Sequence, residues 1–114
     1  MTYDIIYKIV RGVKMKKEQI ISYLTSIKKD LMKNGIEKIG VFGSFARDSA
    51  DLNSDIDIVI KTTPAFVEKF DGVKGFLFLE DLRNDLRRKF HKNIDICDES
   101  GLKNREIIKD VIYA

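Results

Sequence analysis

Asp55 and Asp57 stand two residues apart in the run Ser-Asp-Ile-Asp-Ile-Val-Ile, which spans 54–60. Successive side chains of a strand point to opposite faces, so Asp55 and Asp57 share one face with Val59, and Ile56, Ile58 and Ile60 share the core face. At the rise of an extended chain their Cα atoms lie about 6.6 Å apart. Carboxylates in apolar surroundings are costly unless something positive pairs with them. A hard divalent cation such as Mg²⁺, held by one or two carboxylates together with phosphate oxygens, suits this arrangement. Asp95 repeats the pattern between Ile94 and Ile96. If the two strands are neighbours, three carboxylates converge on one face. Such a set suits a two-metal phosphoryl or nucleotidyl transfer. The metals clamp the attacking and leaving oxygens, and one carboxylate takes the nucleophile's proton.

Gly43-Ser44 follows a β-prone stretch. Glycine lets a phosphate approach the backbone, and serine offers a hydroxyl and an N–H. A helix beginning at Ser44 would turn its positive end toward an anion, with Arg47 one turn further on. No Gly-Lys-Ser/Thr follows, so this is not a Walker A loop. Blander readings exist for each residue. The aspartates could cap turns, Gly-Ser could be an ordinary turn, and Arg47 could form a surface ion pair. The isoleucine setting of Asp55 and Asp57, and its repetition around Asp95, favour the chemical reading.

The elements that must position these residues are legible from periodicity. Ile20, Leu24, Ile27 and Leu31 form one apolar helix face, with Lys28, Lys29 and Lys33 between, stopped by Asn34-Gly35. Residues 37–43, 54–60 and 92–97 read as three strands. Pro64 breaks the chain after the second. Phe78, Leu82, Leu86 and Phe90 line a second long helix, with Arg83, Arg87 and Arg88 outward as a solvated face. Residues 102–114 read as a closing helix with Ile107, Ile108, Val111 and Ile112 toward the core. His91 reads as a helix-end residue, Cys97 as a small buried hydrophobe, and Asp98 and Glu99 as caps of the closing helix or an extension of the acidic site. The fold class is α/β (α+β), a small mixed sheet flanked by helices. Residues 1–15 read as a peripheral extension and 16–114 as the functional domain.

With 114 residues, 44% of them hydrophobic, the chain suits one small domain. A net charge of +3 is too weak a bias to argue for nucleic acid. A single cysteine excludes an internal disulfide and fits a reducing cytoplasm. No apolar run reaches the ~20 residues of a membrane span, and the first residues lack a secretory cleavage pattern.

Gly43-Ser44, Arg47 and Ser54-Asp55-x-Asp57 resemble the signature of the DNA polymerase β-like nucleotidyltransferase superfamily, and their spacing is similar to that of its minimal, MNT-type members. Asp95 falls where that family places its third carboxylate. The resemblance covers roughly residues 16 to 112. It implies a polymerase β-like fold, catalysis and metal binding by Asp55, Asp57 and Asp95, and nucleotide binding by Gly43, Ser44, Arg47 and Ser54. It further implies ATP as substrate with two Mg²⁺ ions. Where the family has glycine after the arginine, this chain has Asp48. Asp tolerates a left-handed backbone, but its charge near a triphosphate would weaken nucleotide binding. Larger members carry extra domains for the base and acceptor, and a chain of this length is expected to receive its acceptor from a partner. MNT proteins pair with HEPN-domain toxins, and members move AMP from ATP onto a toxin tyrosine. The resemblance therefore implies a cytoplasmic antitoxin enzyme. The alternatives are an antitoxin acting by contact alone and a dimeric small-molecule nucleotidyltransferase.

Overall fold

Residues 15–101 and 110–114 are described in the computed structural model of the chain. The first apolar stripe becomes helix α1 (Lys17–Lys33), which buries Ile20, Leu24 and Leu31. It ends as its sequence dictates: the N–H groups of Asn34 and Gly35 return to the carbonyls of Leu31 and Met32, and Gly35 takes a positive φ. Strand β1 (Ile36–Phe42) follows, then a single helical turn, α2 (Gly43–Ala46). Strand β2 (Ile56–Thr62) leads through a short helix α3 (Pro64–Lys69) to the long helix α4 (Val73–Phe90). Strand β3 (Ile94–Asp98), a 3-10 turn (Glu99–Gly101) and a two-residue strand β4 (Ile112–Tyr113) complete the described chain.

The sheet is mixed, in the order β3-β2-β1-β4. β1 runs antiparallel to both β2 and β4, and β2 runs parallel to β3. A parallel neighbour needs a crossover, which α3 and α4 supply. Both long helices lie on one face, because Ile20 and Leu24 of α1 and Leu82, Leu86 and Phe90 of α4 share a core with Ile56, Ile58 and Ile60. Fully burying such a side chain stabilises by about 1.5–3 kcal/mol. Asp57 and Asp95 alternate with these isoleucines and are therefore on the face away from α1 and α4.

The structure adds to the sequence reading in some places and departs from it in others, for physical reasons. Pro64 does break β2, but it also starts α3 as its first residue, where its fixed φ is pre-organised and its missing N–H is not needed. Residues 110–114 are not helical. Ile112 pairs with Val41 and the Ala114 N–H reaches the Ile39 carbonyl at 2.8 Å, so the chain end closes the free edge of β1. Residues 102–109 of the expected closing helix, with Ile107 and Ile108, lie outside the described residues. Arg83 is half-buried rather than solvated, paired with Glu80, and its Nε is enclosed without a hydrogen-bond partner. Asp98 and Glu99 make local contacts, while their reading as caps of the closing helix falls on residues 102–109, outside the described residues. Thr62 and Ser100 donate to Asp98, and the Tyr113 hydroxyl donates to Glu99. His91 does end α4, in a left-handed conformation with its N–H on the Arg87 carbonyl, and Cys97 is half-buried, its thiol pushed up by burial and by the neighbouring Asp98 and Glu99. Among the described residues no helix is long and apolar enough to cross a membrane.

Candidate active site

The site is built where β1 stops and β2 starts. Phe42, the last residue of β1, is the register partner of Asp57. The next residue, Gly43, has φ +73°, in the left-handed region. A Cβ there would overlap the Asp57 carboxylate at Oδ2 and sit 3.0 Å from its Cγ. Only glycine lets the backbone pass this close to the carboxylate. Phe45 and Ala46 then insert into the core and anchor the turn. The Ser44 carbonyl is tied to Ser49 through its N–H (2.9 Å) and Oγ (3.3 Å). The helical turn begins at Gly43 rather than Ser44 and is four residues long. What it can offer an anion is its own free N–H groups rather than the dipole of a long helix.

Asp57 and Asp95 are direct register partners across the parallel β2–β3 pair, so they share a face. Asp55 sits one residue before β2 and is exposed, as is Asp95, whereas Asp57 is half-buried. Burial first, then the charges of Asp95 and Asp55, push the Asp57 carboxyl above the usual carboxylate range, and Arg47 offsets part of this. The negative charge gathered around Asp57 is what a cation would relieve. Among the described residues, no three His, Cys, Asp or Glu side chains close into a metal cage of their own. The all-oxygen donor set instead fits a hard ion such as Mg²⁺, which keeps places for phosphate oxygens and water and takes only one or two carboxylates.

The remaining sequence-predicted residues are placed differently from one another. Arg47 is exposed, follows α2 directly, and its charge is felt at Asp57. Ser54 is engaged in its own loop: its Oγ accepts from the Asp51 N–H at 2.9 Å and donates to Asp51 Oδ1 at 3.2 Å. Asp48 adopts φ +58°, the left-handed geometry for which glycine is the usual choice. Its carboxylate meets Lys17 Nζ at 2.8 Å. This hydrogen bond, against an opposing desolvation, raises the Lys17 ammonium above its ordinary value.

One neighbour was not legible as part of the site. Lys92 Nζ donates to the carbonyls of Leu52 (2.9 Å) and Ser54 (3.3 Å) and so pins the loop that presents Asp55. Its position three residues before Asp95 is the available signal. Beside it a cleft of about 650 Å³ is lined by Ser54, Asp55, Arg87, Arg88, His91 and Lys92, among others. Arg83 borders a smaller cleft, about 280 Å³, that includes Asp95.

Known proteins are similar to this chain in sequence. The profile of the family described as polymerase beta, nucleotidyltransferase matches residues 25–114. The chain is 31% identical over 100 residues to protein adenylyltransferase MntA of Thermococcus cleftensis, covering 84% of this chain and 93% of that protein. Two Methanocaldococcus jannaschii proteins, assigned provisionally as protein adenylyltransferases, are 29% and 34% identical, each over 82 residues. These cover 72% and 68% of this chain and 77% and 76% of theirs. With a family profile matched over residues 25–114, the chain belongs to the polymerase beta nucleotidyltransferase family.

Proposed function

We propose that this protein is a Mg²⁺-dependent protein adenylyltransferase that moves AMP from ATP to a tyrosine hydroxyl of a HEPN-domain toxin and so acts as its antitoxin in the cytoplasm. The observation that carries the reading is the Gly43 turn seated against Asp57, with Asp95 in register beside it. The named activity of the relatives supports it.

In this reading the triphosphate lies along the Gly43-Ser44 backbone, with Arg47 as a mobile cationic contact. When bound, two Mg²⁺ ions held by Asp55, Asp57 and Asp95 neutralise phosphate charge and polarise the α-phosphate. Asp95, exposed on the outer strand β3, faces the incoming acceptor and takes the hydroxyl proton. The acceptor oxygen bonds to the α-phosphorus, the bond to the oxygen bridging the β-phosphate breaks, and pyrophosphate leaves with that electron pair.

Asp48 was the feature favouring an antitoxin that acts by contact alone. Its backbone takes up the glycine-like geometry, and its charge is matched by Lys17. Both observations support an active enzyme. Co-expression with the partner protein, followed by mass spectrometry of its tyrosines, tests the proposal. An added AMP that requires Asp57 is expected. Neutralisation of the partner with no AMP added would favour contact alone.

A further inference from the structure

The cleft beside Asp55 is not lined by the glycine turn: Gly43, Ser44 and Arg47 do not border it. One wall is the 52–55 loop and the other is the end of α4 with residues 91–93. Its charged lining is Arg87, Arg88 and Lys92 against the single carboxylate of Asp55. Lys92 holds the loop carbonyls, and Arg88 pairs with Asp85 at the rim. Arg87 is exposed and makes no ion pair among the described residues. Arg83, one turn back on the same helix face, borders the second cleft next to Asp95. Guanidinium groups of one helix therefore line both clefts, the one that holds Asp55 and the one that holds Asp95.

We propose that this cleft docks an acidic segment of the acceptor polypeptide, with Arg87 and Arg88 as its charge anchors. The inference rests on the adenylyltransferase reading above. A guanidinium takes a carboxylate in two parallel hydrogen bonds, which fixes orientation as well as charge. Asp55 in this cleft and Asp95 in the second disfavour a chain charged at every unit, such as a polynucleotide. A polypeptide can set its carboxylates on the arginines and its neutral tyrosine hydroxyl over Asp95. The arrangement selects acceptors whose acidic residues lie near the modified hydroxyl, and it predicts association that weakens with salt.

The test uses labelled poly(Glu,Tyr) copolymer as the probe, with poly(Lys,Tyr) and a single-stranded RNA oligonucleotide beside it. Binding is read by fluorescence anisotropy for wild type, Arg87→Glu and the Arg87→Ala/Arg88→Ala double variant. The acidic copolymer should bind wild type in a salt-sensitive manner and lose about tenfold or more in affinity in both variants. Their Mg–ATP affinity, measured by calorimetry, should stay at the wild-type value. Equal copolymer affinity in all three proteins, no copolymer binding by wild type, or tighter RNA binding through the same arginines overturns the docking site. Labelled AMP transfer to the copolymers is followed in parallel. Arginine-dependent binding without transfer keeps the docking site and removes the adenylyltransferase reading. Transfer with equal efficiency to acidic and basic copolymers does the reverse.

Discussion

The backbone of Gly43 leaves no room for a side chain on account of one residue, Asp57: a Cβ at Gly43 would overlap Asp57 Oδ2. The register pair Phe42–Asp57 fixes the two strands to each other, so neither partner can move aside cheaply. In the proposed reading the same contact brings the backbone that takes the phosphates to the carboxylate that takes the metal. Fold and proposed chemistry then depend on one position, and the consequences can be measured.

Gly43→Ala should destabilise by at least ~1–2 kcal/mol, the cost of a Cβ in left-handed backbone, with overlap against Asp57 added. For a domain of this size each kcal/mol lowers the melting temperature by about 4–8 °C. Gly43→Val should still fold but transfer no nucleotide. Transfer at the wild-type rate would mean that the phosphates lie elsewhere.

Asp57→Asn should make the metal-free protein more stable while abolishing metal-dependent ATP binding. Burial and the neighbouring charges of Asp95 and Asp55 raise the Asp57 carboxyl. Folding therefore favours its protonated form, and its ionisation at neutral pH works against the folded state. The gain should amount to a few degrees in thermal melts near pH 7 and shrink as the pH falls into the carboxylate range. Calorimetry with Mg–ATP checks the other half, and equal metal-dependent binding in both proteins would remove Asp57 from the metal site.

Asp98 carries the opposite pH signature. Burial alone would raise its carboxyl, but hydrogen bonds from Thr62 and Ser100 outweigh burial and hold it below its ordinary value. Its stabilisation is full above the unfolded carboxylate pKa, about 3.9. It is lost as the pH falls from there through the lower folded value. Denaturant melts of wild type and Asp98→Ala should differ by about 1–3 kcal/mol at neutral pH and converge in acid. A gap independent of pH would show that the carboxylate's charge is not what Thr62 and Ser100 require.

Asp48→Gly should leave Mg–ATP affinity close to wild type, because Lys17 already balances the charge. Lys17→Met should weaken it only modestly, because the pair is exposed. An Asp48→Gly variant that binds ATP tenfold more tightly would show that Asp48 does oppose the triphosphate.

Most of the positioning frame was legible because isoleucine periodicity is unambiguous: Ile56, Ile58 and Ile60 could face only one way, which also fixed the direction of Asp57. The parallel register of Asp57 with Asp95 was expected only on the condition that β2 and β3 are neighbours, since pairing depends on tertiary contacts that no local pattern encodes. The terminal strand was misread because Val111, Ile112 and Tyr113 suit either a helix face or an edge strand, and the open edge of β1 decided it. Lys92 was overlooked because its partners are backbone carbonyls, Leu52 and Ser54, far away in sequence. The roles of Ser54 and Asp98 likewise depend on loop hydrogen bonds that spacing does not announce.

Asp95 is the residue on which the proposed chemistry most directly depends. The measurement is the initial rate of AMP transfer from labelled ATP to the partner protein by wild type and Asp95→Asn, with Mg–ATP affinity and partner co-purification determined on the same preparations. The predicted result is a loss of about 10²–10⁴-fold or more in rate, with nucleotide and partner binding retained through Asp55, Asp57 and the untouched surface. Transfer by Asp95→Asn at the wild-type rate would contradict it, since the residue in register with Asp57 would then take no part in the chemistry.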